Sequence, residues 1–297
     1  MIKKNRLLNL WSSGKPSING WLSISSAFGA EIMANQGYDS LTIDIQHGVI
    51  DYSAAVSMLQ AMAPYPVTPL VRVSWLEPGL IMKALDAGSS GLICPMINTR
   101  EQAETLVSLT HYPPVGTRSF GPTRALYSHG ENYHKEANDE ILCLAMIETA
   151  EAMSNLDDIV STPGLDGVYI GPSDLSLGIG NGKYSPGFDR QEPEIVEAIK
   201  AILKSAKQSG IIAGLHCGSP EYAAKAIGWG FEMVTIGSDA RLLASAAKNI
   251  VSEARKIIDG VPIMGSVAAG GLIETYSDVQ DNLDISDVLK KKNVFAL

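Results

Sequence analysis

Four side chains able to carry charge stand at or just past the ends of apolar, β-rich runs. They are His47 in Ile43-Asp44-Ile45-Gln46-His47-Gly48, Arg72 in Pro69-Leu70-Val71-Arg72-Val73, Glu148 in Met146-Ile147-Glu148-Thr149 and Asp174 in Gly171-Pro172-Ser173-Asp174. Charge inside an apolar run is costly unless it is paired or bound to a metal. Glu148 and Asp174 together make two oxygen ligands, which with water describes a Mg²⁺- or Mn²⁺-type site. Arg72 is a fixed cation, and His47 can exchange a proton near neutral pH. Each has a structural alternative. Glu148 could complement a helix N-terminus, Ser173 or Asp174 could cap one, Arg72 could pair with Asp86, and His47 could be a surface loop residue.

The elements that must position these residues recur along the chain. Candidate strands are Gly20–Ile24, Ser40–Ile45, Pro69–Val73, Gly91–Pro95, Ile141–Ile147, Gly167–Ile170, Ile211–Leu215 and Met233–Ile236. Most are continuous apolar runs, as expected of parallel strands covered on both faces. Between them lie helix-period segments with start and stop signals. Pro78, Pro193 and Pro220 open three helices, and Gly88, Gly210 and Gly228 or Gly230 close them. Thr99 and Gln102 have the spacing of a capping box. Eight strand–helix units in about 250 residues predict an α/β (β/α)8 TIM barrel with a C-terminal extension: a barrel over 1–260 and an appendage over 261–297. An open doubly wound sheet would often carry a Gly-rich fingerprint after its first strand, and Ser25-Ser26-Ala27-Phe28-Gly29 is none. Two long connections, Tyr112–Glu140 and Ser176–Gln191, read as lids or binding loops.

In such a barrel, chemistry gathers just past the C-terminal ends of strands. His47, Arg72, Glu148, Gly171, Ser173, Asp174 and His216 all fall there, and their convergence favours a catalytic site. No lysine falls within a candidate strand, so an amine-based Schiff base is excluded as the electrophile.

Composition limits the partners. The 297 residues carry a formal net charge of −9, which disfavours nucleic acid and anionic membrane surfaces. No run of 18 apolar residues occurs, and the N-terminus lacks a secretory pattern. Cys94, Cys143 and Cys217 are widely spaced, with no C-x-x-C pair, as expected in a reducing cytoplasm.

These stretches, together with Gly37-Tyr38-Asp39, Leu85-Asp86-Ala87-Gly88 and Tyr112-Pro113-Pro114-Val115-Gly116-Thr117-Arg118, resemble the HpcH/HpaI aldolase/citrate lyase family over residues 5–257, specifically its metal-dependent class II pyruvate aldolases. The resemblance implies a divalent ion (Mg²⁺, Mn²⁺ or Co²⁺) held by Glu148 and Asp174. It implies a 2-oxo acid with Arg72 on its keto oxygen and the Ser173 and Asp174 amides on its carboxylate. It also implies a His47–Asp86 pair serving acid–base chemistry through water, an aldehyde co-product, and a homo-oligomer, commonly a hexamer (a trimer of dimers) that exchanges a C-terminal helix. Gly171, Met146 and His216 are expected to line the substrate pocket. Two residues depart from the family pattern: Gln46 stands where Glu is usual, and Met146 where Gln is usual. The expected reaction is reversible cleavage of 4-hydroxy-2-oxo acids. The alternatives are decarboxylation of an oxaloacetate-like acid and a non-catalytic barrel that binds a small acid.

Overall fold

A computed structural model describes residues 4–259. Eight parallel strands close in sequence order: β1 (Ser17–Leu22), β2 (Ser40–Asp44), β3 (Thr68–Arg72), β4 (Gly91–Cys94), β5 (Leu142–Ile147), β6 (Gly167–Ile170), β7 (Ile212–Cys217) and β8 (Met233–Ser238). The helices are α1 (Arg6–Ser12), α2 (Ala27–Ala34), α3 (Tyr52–Met62), α4 (Pro78–Asp86), α5 (Arg100–Thr110), α6 (Ala125–His129) and α7 (Tyr133–Glu140). After β5 come α8 (Ala150–Ser154), α9 (Leu156–Val160), α10 (Pro172–Gly180), α11 (Pro193–Gln208), α12 (Pro220–Trp229) and α13 (Asp239–Asp259). The expected (β/α)8 barrel is therefore present. The chain divides into two compact units between Ala240 and Arg241. The expected extension, 261–297, lies outside the described residues. No helix among the described residues is long and apolar enough to cross a membrane.

Alternation along each strand sorts the side chains into two cores. Trp21, Leu70, Ile93, Leu142, Leu144, Met146, Tyr169 and Met233 fill the barrel lumen together with Leu7. Their neighbours Ile43, Val71, Leu92, Ala145, Ile147, Val168, Leu215 and Val234 pack against the helices. Leu7 belongs to α1, which the strand–helix pattern did not predict; Trp11 of the same helix donates its indole N–H to the Glu232 carbonyl.

The local start and stop signals work as their chemistry requires. Pro78, Pro193 and Pro220 each open a helix, and the Thr99–Gln102 capping box forms in both directions. Gly37, Gly88, Gly210 and Gly230 adopt positive φ after helices, the conformation that only glycine takes without strain. β1 begins three residues earlier than expected, directly after Pro16, and ends at Leu22. The two long connections are not structureless: the first carries α6 and α7, and the second is partly α10.

Asp166, just before β6, accepts the Cys143 N–H at 2.7 Å. Burial pushes its carboxyl up to about 6, although that N–H pulls the other way. A carboxyl that binds protons more tightly when folded loses stability as pH rises from the ordinary value near 4 through about 6. Asp166→Asn keeps an acceptor and removes the charge. It is expected to raise Tm at pH 7.5, with the gain disappearing by pH 4. An equal gain at both pH values would show that the buried charge is not the cost.

Candidate active site

Asp44 is the last residue of β2 and lies in register beside Arg72, the last residue of β3. The two form a bidentate pair: Arg72 Nε donates to Asp44 Oδ1 at 2.9 Å and Nη2 to Oδ2 at 2.7 Å. Trp21 donates its indole N–H to Oδ2 at 3.1 Å, and its ring lies 4.8 Å from the Arg72 guanidinium carbon. The backbone N–H groups of Gln46 and His47 donate to Oδ1 at 3.1 and 3.2 Å. Burial alone would raise the Asp44 carboxyl, but these donors and the Arg72 charge outweigh it and hold the group below its usual range. Asp44 is not among the candidate site residues that the sequence alone suggests. The available signal was a carboxylate closing an otherwise apolar strand, level with an arginine closing the next.

Across the mouth, Glu148 follows Met146 on the same face two residues beyond it, as strand alternation predicts. Glu148 is buried, and its Oε1 accepts the Met96 N–H at 2.9 Å. Burial pushes its carboxyl up to about 7; the nearby Asp174 charge adds to this, while the Met96 N–H and Arg72 oppose it. Gly171 makes room for this carboxylate. A Cβ there would lie 2.5 Å from Glu148 Oε2 and 2.9 Å from Met146 Cε.

Gly171 is also the N-cap of α10, with Pro172 at the first helical position and no side-chain cap. Neither Ser173 nor Asp174 is spent on capping. As first-turn residues, their N–H groups have no intrahelical acceptor, and Asp174 puts a carboxylate in that turn. Such a turn is suited to an anionic oxygen.

His216, near the end of β7, is held on three sides. Tyr169 O–H lies 3.1 Å from its Nδ1, Phe188 stacks on the ring at 4.6 Å, and Trp21 meets it edge-on at 4.9 Å. Phe188 comes from the connection after α10, whose Asp189 carboxylate accepts the Gly218 N–H at 2.7 Å. Trp21, Tyr169 and Phe188 carried no charge to draw attention in the sequence.

The Arg72–Asp86 alternative does not form. Arg72 pairs with Asp44, not Asp86. His47 and Asp86 make no direct hydrogen bond: the His47 imidazole makes none among the described residues, and the Asp86 carboxylate accepts Arg118 Nη2 at 2.7 Å. The reason is topological. His47 follows the end of β2, whereas Asp86 ends α4, which runs back from the mouth outside the sheet. Arg118, fully buried, also donates to the Tyr133 hydroxyl at 2.9 Å and lies 4.4 Å from the Tyr112 ring.

Fold and mouth together define a (β/α)8 barrel enzyme with its charged groups gathered at the strand C-termini. The chain belongs to the HpcH/HpaI aldolase/citrate lyase family, which matches residues 18–246, and is a carbon–carbon lyase. It is 41% identical over 253 residues to a hydroxypyruvate/pyruvate aldolase of Rhizorhabdus wittichii, spanning 85% of this chain and 100% of the relative. A 4-hydroxy-2-oxo-heptane-1,7-dioate aldolase of Escherichia coli is 37% identical over 243 residues, 81% of this chain and 91% of that one. The structure of an HpcH/HpaI aldolase/citrate lyase family protein from Burkholderia cenocepacia J2315 matches with a TM-score of 0.78 at 31% identity, covering 85% of this chain and 100% of that one.

Removing one member of a buried ion pair leaves the other charge uncompensated, at a cost of about 3–5 kcal/mol. Asp44→Ala is expected to lower unfolding stability by that order. Adding Arg72→Leu to it should recover part of the loss. Additive losses in denaturant titrations would show that the pair is not coupled.

Proposed function

We propose that this protein reversibly cleaves 4-hydroxy-2-oxo acids to a pyruvate-type 2-oxo acid and an aldehyde, assisted by a divalent cation at Glu148 and Asp174. The observation that carries this reading is Glu148 itself. It is a buried carboxyl raised by burial and by a second carboxylate, with one oxygen pinned by the Met96 N–H. A cation would relieve that repulsion and favour the ionised form. Among the described residues no group of three or more His, Cys, Asp or Glu is placed to hold a metal. Two carboxylates with the remaining positions left to water and substrate oxygens suit Mg²⁺ or Mn²⁺, with Co²⁺ also compatible. When bound, such an ion supplies Lewis-acid stabilisation of negative charge on the keto oxygen.

The chain's own residues do the rest. Asp44 fixes the Arg72 guanidinium and leaves its other N–H donors for the keto oxygen. The Ser173 and Asp174 amides at the start of α10 receive the substrate carboxylate. In cleavage, His47 takes the proton of the C4 hydroxyl, the C4 oxygen forms the aldehyde carbonyl, and the C3–C4 electron pair moves into the enolate that Arg72 faces. Protonation at C3 then gives the 2-oxo acid. Asp44 also holds the His47 backbone, so one carboxylate positions both the cation and the base. Within one chain Asp86 is engaged by Arg118.

Homo-oligomerisation accompanies this reading. α13 carries exposed Leu242, Leu243, Ile250, Val251, Ile257 and Ile258, an apolar surface suited to another subunit.

Exhaustive chelation is expected to abolish aldol cleavage and Mn²⁺ or Mg²⁺ to restore it, with Glu148→Gln inactive under both conditions. Full turnover without metal would contradict the assignment.

Met146 sets the donor preference in this proposal. Its buried thioether reaches Gly171 beside Glu148, and it cannot donate a hydrogen bond to a donor acid. A hydrogen bond to a charged group is worth about 1.5–3 kcal/mol, or about 10–150-fold in affinity. Plain pyruvate should therefore bind weakly and hydroxypyruvate should compete well as donor, in keeping with the two donors in the name of the Rhizorhabdus relative. Met146→Gln is expected to lower KM for pyruvate selectively. Unchanged KM values for both donors in a folded variant would remove residue 146 from the donor pocket.

A further inference from the structure

Inside the lumen, four polar side chains are joined in a line that ends on His216. Asn19 Nδ2 donates to Thr235 Oγ1 at 2.9 Å, Thr235 Oγ1 and Tyr169 O–H are 2.6 Å apart, and Tyr169 O–H is 3.1 Å from His216 Nδ1. Asn19, Thr235 and Tyr169 are fully buried. The direction of the line can be worked out by counting hydrogens, because a buried polar hydrogen without an acceptor is costly.

Asn19 sets the direction. Its Oδ1 accepts from the Ser40 hydroxyl at 2.8 Å and the Thr42 hydroxyl at 3.1 Å. Both hydroxyls are fully buried and have this oxygen as their acceptor. Turning the amide over would leave both hydroxyl hydrogens without one, so the Asn19 amide nitrogen faces Thr235. Thr235 Oγ1 then accepts from Asn19 and must place its own hydrogen on the Tyr169 oxygen. Tyr169, with its oxygen accepting, must donate its hydrogen to His216 Nδ1. In the opposite direction Tyr169 would donate to Thr235, and the Thr235 hydrogen would be stranded.

We propose that Asn19, Thr235 and Tyr169 are positioning residues that hold His216 as the neutral Nε2–H tautomer, its Nδ1 committed as an acceptor. The two histidines at the strand ends thereby have different work. His47, whose imidazole is bound by no described side chain, is the group that picks up a proton. His216 keeps its proton on Nε2, on the side of the ring away from Tyr169, and acts as a hydrogen-bond donor rather than a base. Phe188 and Trp21 hold the plane of the ring, while the polar line sets its protonation pattern. This division of labour rests on the aldolase reading; the tautomer itself does not.

The test is long-range ¹H–¹⁵N NMR of the full chain with ¹⁵N-labelled histidine, at a pH where imidazoles are neutral, with His216→Phe to assign the signal. The expected wild-type pattern is Nε2–H, with a deprotonated Nδ1 shifted by an accepted hydrogen bond. Tyr169→Phe removes the donor and should give a mixture of tautomers. Asn19→Asp offers Thr235 an acceptor in place of a donor, which reverses the line and should move the proton to Nδ1. A wild-type Nδ1–H pattern, a deprotonated Nδ1 without a hydrogen-bond shift, or an unchanged tautomer in either folded variant would overturn the proposal. The wild-type spectrum decides even where a variant does not fold. Because the readout is independent of turnover, a correct tautomer in an inactive protein would leave this assignment intact and count against the aldolase reading alone.

Discussion

The mouth of this barrel depends on one buried ion pair. Arg72 points into a lumen that is otherwise apolar just below it, where an unpaired guanidinium would be costly. Asp44 meets it with two hydrogen bonds, from the neighbouring strand and in register. Because the pairing is set by the sheet itself, the guanidinium is fixed before any ligand arrives. The same carboxylate gathers the Trp21 indole and the first two backbone N–H groups after β2, so the position of His47 follows from it as well. Preorganised donors of this kind stabilise developing charge without having to rearrange during the reaction.

Opposite this pair the balance of charge is reversed. Burial and the nearby Asp174 charge raise the cost of ionising Glu148, with Arg72 offsetting only part of it. The fold keeps Glu148 in place by two means, the Met96 N–H on one oxygen and the absence of a side chain at Gly171 beside the other. Two carboxylates beside a fixed guanidinium and an uncapped helix start suit the metal-assisted chemistry proposed above. The apolar side chains beneath it, from Leu70 to Met233, are buried in the lumen, where Asn19, Thr235 and Tyr169 meet one another's polar groups.

Much of this was legible before any coordinates. Continuous apolar runs punctuated by Pro at helix starts and Gly at helix ends specify eight strand–helix repeats, because those signals act locally. The candidates Arg72, Glu148, Asp174 and His47 were found because a charge at the end of an apolar strand is conspicuous. What the chain order hid were relations across it. That Arg72 prefers Asp44 to Asp86 depends on sheet register, 28 residues apart in the chain. That Asp86 belongs to Arg118 depends on α4 running back from the mouth and on a connection that folds into α6 and α7. Trp21 and Tyr169 look like ordinary core residues in sequence; only the closed barrel shows that each presents its one polar atom to the site.

The central claim is that this mouth stabilises the enolate of a pyruvate-type acid. The most direct measurement is exchange of the C3 protons of pyruvate and hydroxypyruvate with deuterium from solvent, followed by NMR without any aldehyde, with and without Mg²⁺, Mn²⁺ or Co²⁺. Metal-dependent exchange is expected in the wild-type protein, and its loss in Glu148→Gln and Arg72→Leu. Absence of exchange with every metal, or exchange unaffected by either substitution, would contradict it.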